Sequence, residues 1–152
     1  MGQYLMGLDN GGTMGKAALY DLQGHEIAVC ARKTQLLQPQ PGFTERNCEE
    51  MWAANVGAIR AVLAQSGVSG DDVIGIAATG HGNGVYLIQE DGTQATNGII
   101  STDSRGKEFA IAWNQDGTFE KILPKTMQSC WEGQPTTIIR WFMKYQPEVI
   151  EN

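Results

Sequence analysis

Met6-Gly7-Leu8-Asp9-Asn10-Gly11-Gly12-Thr13-Met14-Gly15-Lys16-Ala17 reads as an apolar strand, a glycine-rich break and a second strand. Residues 4–9 form the first apolar run, the break falls at residues 10–13, and residues 16–20 resume an extended pattern. Leu22-Gln23-Gly24 makes a second turn, and residues 26–33 read as a third strand with Ile27, Val29 and Ala31 on one face. Three consecutive strands joined by tight turns predict an antiparallel meander, which argues against a nucleotide fold that begins strand, helix, strand.

Two familiar phosphate loops fail on this stretch. A P-loop requires Gly, four residues and then Gly-Lys-Ser/Thr, but before Gly15-Lys16 the required position holds Asn10, and Ala17 follows. A dinucleotide fingerprint requires a helix directly after the glycines, and here a strand follows. What remains is a strand-turn-strand with an acid closing the first strand. Glycines at the turn let backbone N–H groups approach phosphate oxygens. Gly11, Gly12 and Thr13 are therefore phosphate-binding candidates, with the Thr13 hydroxyl donating to the terminal phosphate. Asp9 is the candidate Mg²⁺ ligand, because Mg²⁺ keeps several waters and uses one or two carboxylates. Lys16 adds a charge that would neutralise the transferring group. A plain surface hairpin is the competing reading.

Working outward, residues 38–42 form a Pro- and Gly-rich loop. Asn47 followed by Glu50 is a capping-box pattern opening a helix to about Gln65, with Met51, Trp52, Val56, Ile59, Val62 and Leu63 on its buried face and Gly67 at its end. Residues 73–78 are a continuous apolar run suited to a central strand covered on both faces. The loop Thr79-Gly80-His81-Gly82-Asn83-Gly84 follows, then strands over 85–89 and 98–101, and helices over 104–114 and 136–145 with Pro147 ending the last. The loop glycines admit a ligand close to the backbone, and His81 and Asn83 offer hydrogen bonds to hydroxyls. Asp103 is placed to cap the following helix through its side chain.

The chain has 152 residues, enough for one core, and 41% hydrophobic with 18% charged residues describes a globular protein. A formal net charge of -6 with no Lys/Arg cluster disfavours nucleic acid and anionic membranes. No apolar run reaches the roughly 20 residues of a membrane span. Cys30, Cys48 and Cys130 lack metal-ligand spacing, and with His25 and His81 the only histidines, a zinc site is not expected. Reduced thiols and the lack of a signal-like segment predict a cytoplasmic protein.

Residues 7–13 with Lys16 resemble the first phosphate motif of the FGGY carbohydrate kinases, with Gly11-Gly12-Thr13 where members have Gly-Thr-Thr or Gly-Thr-Ser. Pro41-Gly42-Phe43-Thr44-Glu45 resembles the segment before the family's tryptophan-bearing helix. His81-Gly82-Asn83-Gly84 is closest to the sugar loop of L-xylulose and erythritol kinases, which implies sugar contacts for His81, Gly82 and Asn83. Ser101-Thr102-Asp103-Ser104-Arg105 resembles a Trp-x-Asp-x-Arg segment with Ser101 replacing the tryptophan, which implies a sugar contact for Asp103 as the alternative to the helix cap. The resemblance implies an α/β, ribonuclease-H-like (actin-type ATPase) fold: a three-stranded antiparallel meander, a helix, then a central parallel strand. Residues 1–152 would be one incomplete N-terminal domain, with the rest of the first domain, the second domain and the general-base aspartate beyond Asn152. It implies ATP and Mg²⁺ as cofactors and phosphorylation of a small sugar: a ketopentose such as L-xylulose, or a related keto-sugar acid or polyol. A homodimer of the complete protein is an open option. The isolated chain is expected to be inactive, and the alternative function is a non-enzymatic actin-like nucleotide-binding module.

Overall fold

The computed structural model describes residues 2–151, which divide into two compact units: residues 2–35 with 47–81, and residues 36–46 with 82–151. The first unit contains β1 (Tyr4–Asn10), β2 (Met14–Asp21), β3 (Glu26–Lys33), α1 (Cys48–Ser66) and, after a 3₁₀ turn at Gly70–Asp72, β5 (Val73–Gly80). Its sheet has the order β3-β2-β1-β5, with β1, β2 and β3 antiparallel and β5 parallel to β1. This mixed sheet fulfils the meander and parallel strand expected from the sequence.

Alternation decides which residues enter the core. Met6, Ala17, Leu19 and Ala28 point to one face and are buried against Ala58 and Val62 of α1. Ile27 and Val29 take the other face of β3 and are exposed. Asn47 caps α1 as expected, its Oδ1 accepting from the Glu50 N–H at 2.9 Å. The Glu50 carboxylate does not complete the reciprocal box but accepts from the Gln35 N–H at 2.8 Å. At the far end Gly67 takes a left-handed φ of 69° and closes the helix on the Leu63 carbonyl.

One expectation for this unit is overturned. Trp52 is 70% exposed, and small Ala54 and Ala58 take the buried stripe of α1 with Met51 and Val62. β5 lies at one end of the four-stranded sheet, with Ile74 and Ile76 exposed and β1 as its single partner among the described residues.

The second unit contains β4 (Glu45–Arg46) antiparallel to β6 (Gly98–Ile99), then α2 (Lys107–Gln115), α3 (Thr118–Thr126), α4 (Pro135–Tyr145) and α5 (Glu148–Glu151). Val85, Ile99, Ile138 and Phe142 form its core, with Leu87, Trp141 and Val149 packed around them. The strand expected over 85–89 reduces to isolated bridges, Val85 with Ile99 and Ile88 with Gln94. The helix expected from Ser104 starts at Lys107, since Asp103 and Ser104 are drawn into side-chain bonds before it. Pro135 stands at the first turn of α4, where its missing N–H costs nothing.

Candidate functional site

The phosphate-hairpin candidates converge at the carboxyl end of β1. Asp9 pairs across the ladder with Lys16, and Asn10 with Gly15, so the turn itself is residues 11–13. Lys16 Nζ lies 3.3 Å from Asp9 Oδ2, with the two side chains 48% and 42% exposed. Such an open pair is worth at most about 1 kcal/mol and leaves both groups able to change partner.

The Gly11 N–H is committed to the Met14 carbonyl at 3.0 Å and closes the turn. A Cβ on Gly11 would meet that carbonyl at 3.2 Å and both Asp9 oxygens at 3.7 Å, so glycine keeps the space over the carboxylate open. Gly12 has no atom within 4 Å of an added Cβ, and Thr13 is exposed. Neither Gly11 nor Gly12 has a positive φ, so close approach, and not left-handed backbone, is what these glycines provide.

The parallel pairing sets Thr79 beside Asp9 and Gly80 beside Asn10, and the His81 N–H donates to the Asn10 carbonyl at 3.2 Å. The carboxyl ends of two parallel strands thus bring His81 to the phosphate turn, the kind of edge where α/β sheets take ligands. Gly82 and Asn83 are exposed, and Asn83 has φ 59°, a left-handed conformation uncommon outside glycine.

Asp103 stands elsewhere, in the second unit and 0% exposed. Its carboxylate accepts from the Thr44 N–H at 2.7 Å and the Arg105 N–H at 2.8 Å, and from Arg105 Nε at 2.9 Å. Arg105 also reaches Glu45 Oε1 at 2.7 Å, while its guanidinium lies 4.1 Å from the Phe43 ring centre and 5.0 Å from that of Trp141. A buried cation with two carboxylates and aromatic faces is a framing element that ties β4 to the segment before α2. Arg105 is thereby a fold-stabilising pairing residue. Asp103 makes an Asx-type bond to Arg105 and does not cap α2, whose N-cap is Gly106.

Asn55 went unread in the sequence. It stands inside α1, with Nδ2 3.2 Å from Asn10 Oδ1. A polar residue of modest helix propensity in an Ala- and Val-rich helix was the available signal.

Mg²⁺ coordination is compatible with this edge. Among the described residues no three His, Cys, Asp or Glu gather around a common point. A hydrated ion bridging to phosphates needs only one or two carboxylates, and Asp9, half-exposed beneath a glycine turn, can provide one.

The chain is similar to known proteins of one family. The FGGY family of carbohydrate kinases, N-terminal domain, matches residues 4–152. The L-xylulose/3-keto-L-gulonate kinase of Escherichia coli K12 is 40% identical over 148 residues, 97% of this chain and 30% of that protein. A probable L-xylulose kinase of Pasteurella multocida is 33% identical over 145 residues, 95% of this chain and 30% of that protein. The crystal structure of xylulose kinase from Rhodospirillum rubrum superposes with a TM-score of 0.88 at 24% identity, covering 98% of this chain and 30% of that one. The gluconate kinase of Lactobacillus acidophilus gives 0.89 at 21% identity, over 100% and 30%. The fold is therefore that of the actin-like ATPase sugar kinases, and the chain spans 30% of the length of these relatives. The chain belongs to the FGGY family of carbohydrate kinases.

Proposed function

We propose that this FGGY domain supplies the phosphate-holding hairpin and part of the sugar pocket of an ATP-dependent kinase. The observation that carries the reading is the Asp9-to-Lys16 hairpin, with an open acid, a basic partner and an unobstructed glycine turn at one strand end. Asp9 would hold Mg²⁺, which supplies charge neutralisation at the transferring phosphoryl group. The Gly12 and Thr13 backbone amides and the Thr13 hydroxyl donate to the terminal phosphate. Gly11, its own N–H already used, shapes the turn above Asp9. Lys16 releases Asp9 to the ion and turns its charge toward the phosphate.

For the acceptor we propose a small sugar: a ketopentose such as L-xylulose, or a related keto-sugar acid or polyol. The identity with the Escherichia coli and Pasteurella multocida proteins supports this choice. His81, Gly82 and Asn83 contact its hydroxyls. Asp103, buried and bonded to Thr44 and Arg105, frames the segment before α2. The general base and most adenosine contacts belong to residues beyond Asn152 in a protein of the relatives' length. ATP as donor implies the cytoplasm, and a homodimer of the complete protein is compatible with the reading.

The test is a coupled ADP-release assay on this domain joined to the remainder of its kinase, with L-xylulose, 3-keto-L-gulonate, erythritol and D-xylulose as acceptors. ADP release should depend on one of these acceptors, and Asp9→Asn should lower kcat at least about 100-fold. ATP consumption indifferent to every acceptor would favour an actin-like nucleotide module instead.

A further inference from the structure

We infer that Asn55 is a positioning residue for the phosphate turn and that Gly15 is glycine in order to admit it. The inference rests on the proposed role of the hairpin and concerns how that hairpin is held. Asn55 Nδ2 donates to Asn10 Oδ1 at 3.2 Å and to the Met51 carbonyl at 2.9 Å. Its Oδ1 is buried and finds no hydrogen-bond donor among the described residues. An orphaned buried acceptor is costly, and an alanine would fill a helix-to-sheet gap without that cost. The amide is therefore better explained by what its other end does, which is to grip Asn10.

Gly15 supplies the second, independent observation. A Cβ there would stand 2.7 Å from Asn55 Oδ1 and 3.1 Å from its Cγ. Gly15 is not among the residues with positive φ, so alanine at this position meets no backbone penalty. The obstacle is the Asn55 amide, which cannot swing aside without giving up Asn10. Asn10 and Gly15 face each other at the last rung before the turn. One amide thus fixes both arms of the hairpin, while the His81 N–H holds the Asn10 carbonyl from the β5 side. Residues 11–13 inherit their position from this clamp.

The experiment uses the ¹⁵N-labelled 152-residue chain with Asn55→Ala, Gly15→Ala and the double variant. Amide exchange is read at Gly11 and Thr34, whose N–H groups bond to the Met14 and Thr13 carbonyls at the turn, and at Met6 and Leu19 in the ladder. Asn55→Ala and Gly15→Ala should each speed exchange at the turn by about tenfold or more, with the ladder little changed. In the Asn55→Ala background, adding Gly15→Ala should do nothing further. In parallel, Mg·ATP titration should shift the Gly12 and Thr13 amides, about tenfold more weakly in Asn55→Ala. Unchanged exchange at the turn, uniform loss across the sheet, or faster turn exchange with unchanged Mg·ATP affinity would each overturn the inference. If Mg·ATP moves no hairpin amide in the unaltered chain, the proposed function fails, and the exchange data still decide the clamp.

Discussion

Arg105 and Cys130 show how burial turns a side chain into a measurable commitment. Arg105 is nearly sealed between Phe43 and Trp141 and holds Asp103 and Glu45. Removing one partner of such a pair strands the other charge, so Asp103→Ala should cost about 3–5 kcal/mol in urea unfolding. A loss below about 1 kcal/mol would show that the cluster does not frame the second unit. Burial pushes the Cys130 thiol above its usual range, with the Asp116 and Glu120 charges adding to the shift. The folded state then keeps this proton to higher pH than the unfolded chain. Its contribution is present below about pH 8.5 and is lost as pH rises through the folded value. Thermal stability should accordingly fall on the alkaline side, and less so in Cys130→Ala. In the native protein Cys130 should also react with a disulfide reagent more slowly than the half-buried Cys30 and Cys48. Roles at single residues were unevenly legible. Asp9 and Gly11 to Thr13 stand out as candidates by type and order, whereas Asn55 and Gly15 acquire meaning only when helix and strand meet in the fold.

The hairpin and α1 could be read from sequence because their signals are local: alternation, turn glycines, an Asn47 cap and a Gly67 stop. The Asn47 cap should be worth about 1 kcal/mol, tested by Asn47→Ala in chemical unfolding. β5 lies at one end of the four-stranded sheet formed by the described residues. As an edge, Val73–Gly80 carries no Lys, Glu or Pro to discourage pairing with another strand, and Ile74 and Ile76 are exposed. The 152-residue chain should therefore self-associate as its concentration rises. Ile76→Lys should suppress that in sedimentation while changing unfolding by no more than about 0.5 kcal/mol. Association untouched by Ile76→Lys would assign it to another surface. The 85–89 segment was misread for a physical reason. Its alternation is strand-like, but Ile99 and Gln94 offer it single bridges and no ladder.

For the molecule as a whole, the two units carry different halves of the proposed chemistry. The first holds Asp9, the glycine turn, Lys16 and His81, and the second holds the loop at Gly82 and Asn83 with the Asp103 to Arg105 frame. Fold class was legible because meander, helix and parallel strand follow one another in the chain. The division into two units was not, since residues 36–46 leave the first unit and join a segment that begins after His81. Asp21, Asp71 and Asp72 line a separate recess beside Tyr4 without gathering around a common point. The decisive measurement is paramagnetic broadening of backbone amides by Mn²⁺·ATP in the ¹⁵N-labelled chain. Broadening centred on Gly11, Gly12, Thr13 and His81, and abolished by Asp9→Asn, is the predicted result. Broadening centred on Gln23, Asp71 and Asp72, and indifferent to Asp9→Asn, would contradict the assignment of the hairpin as the phosphate site.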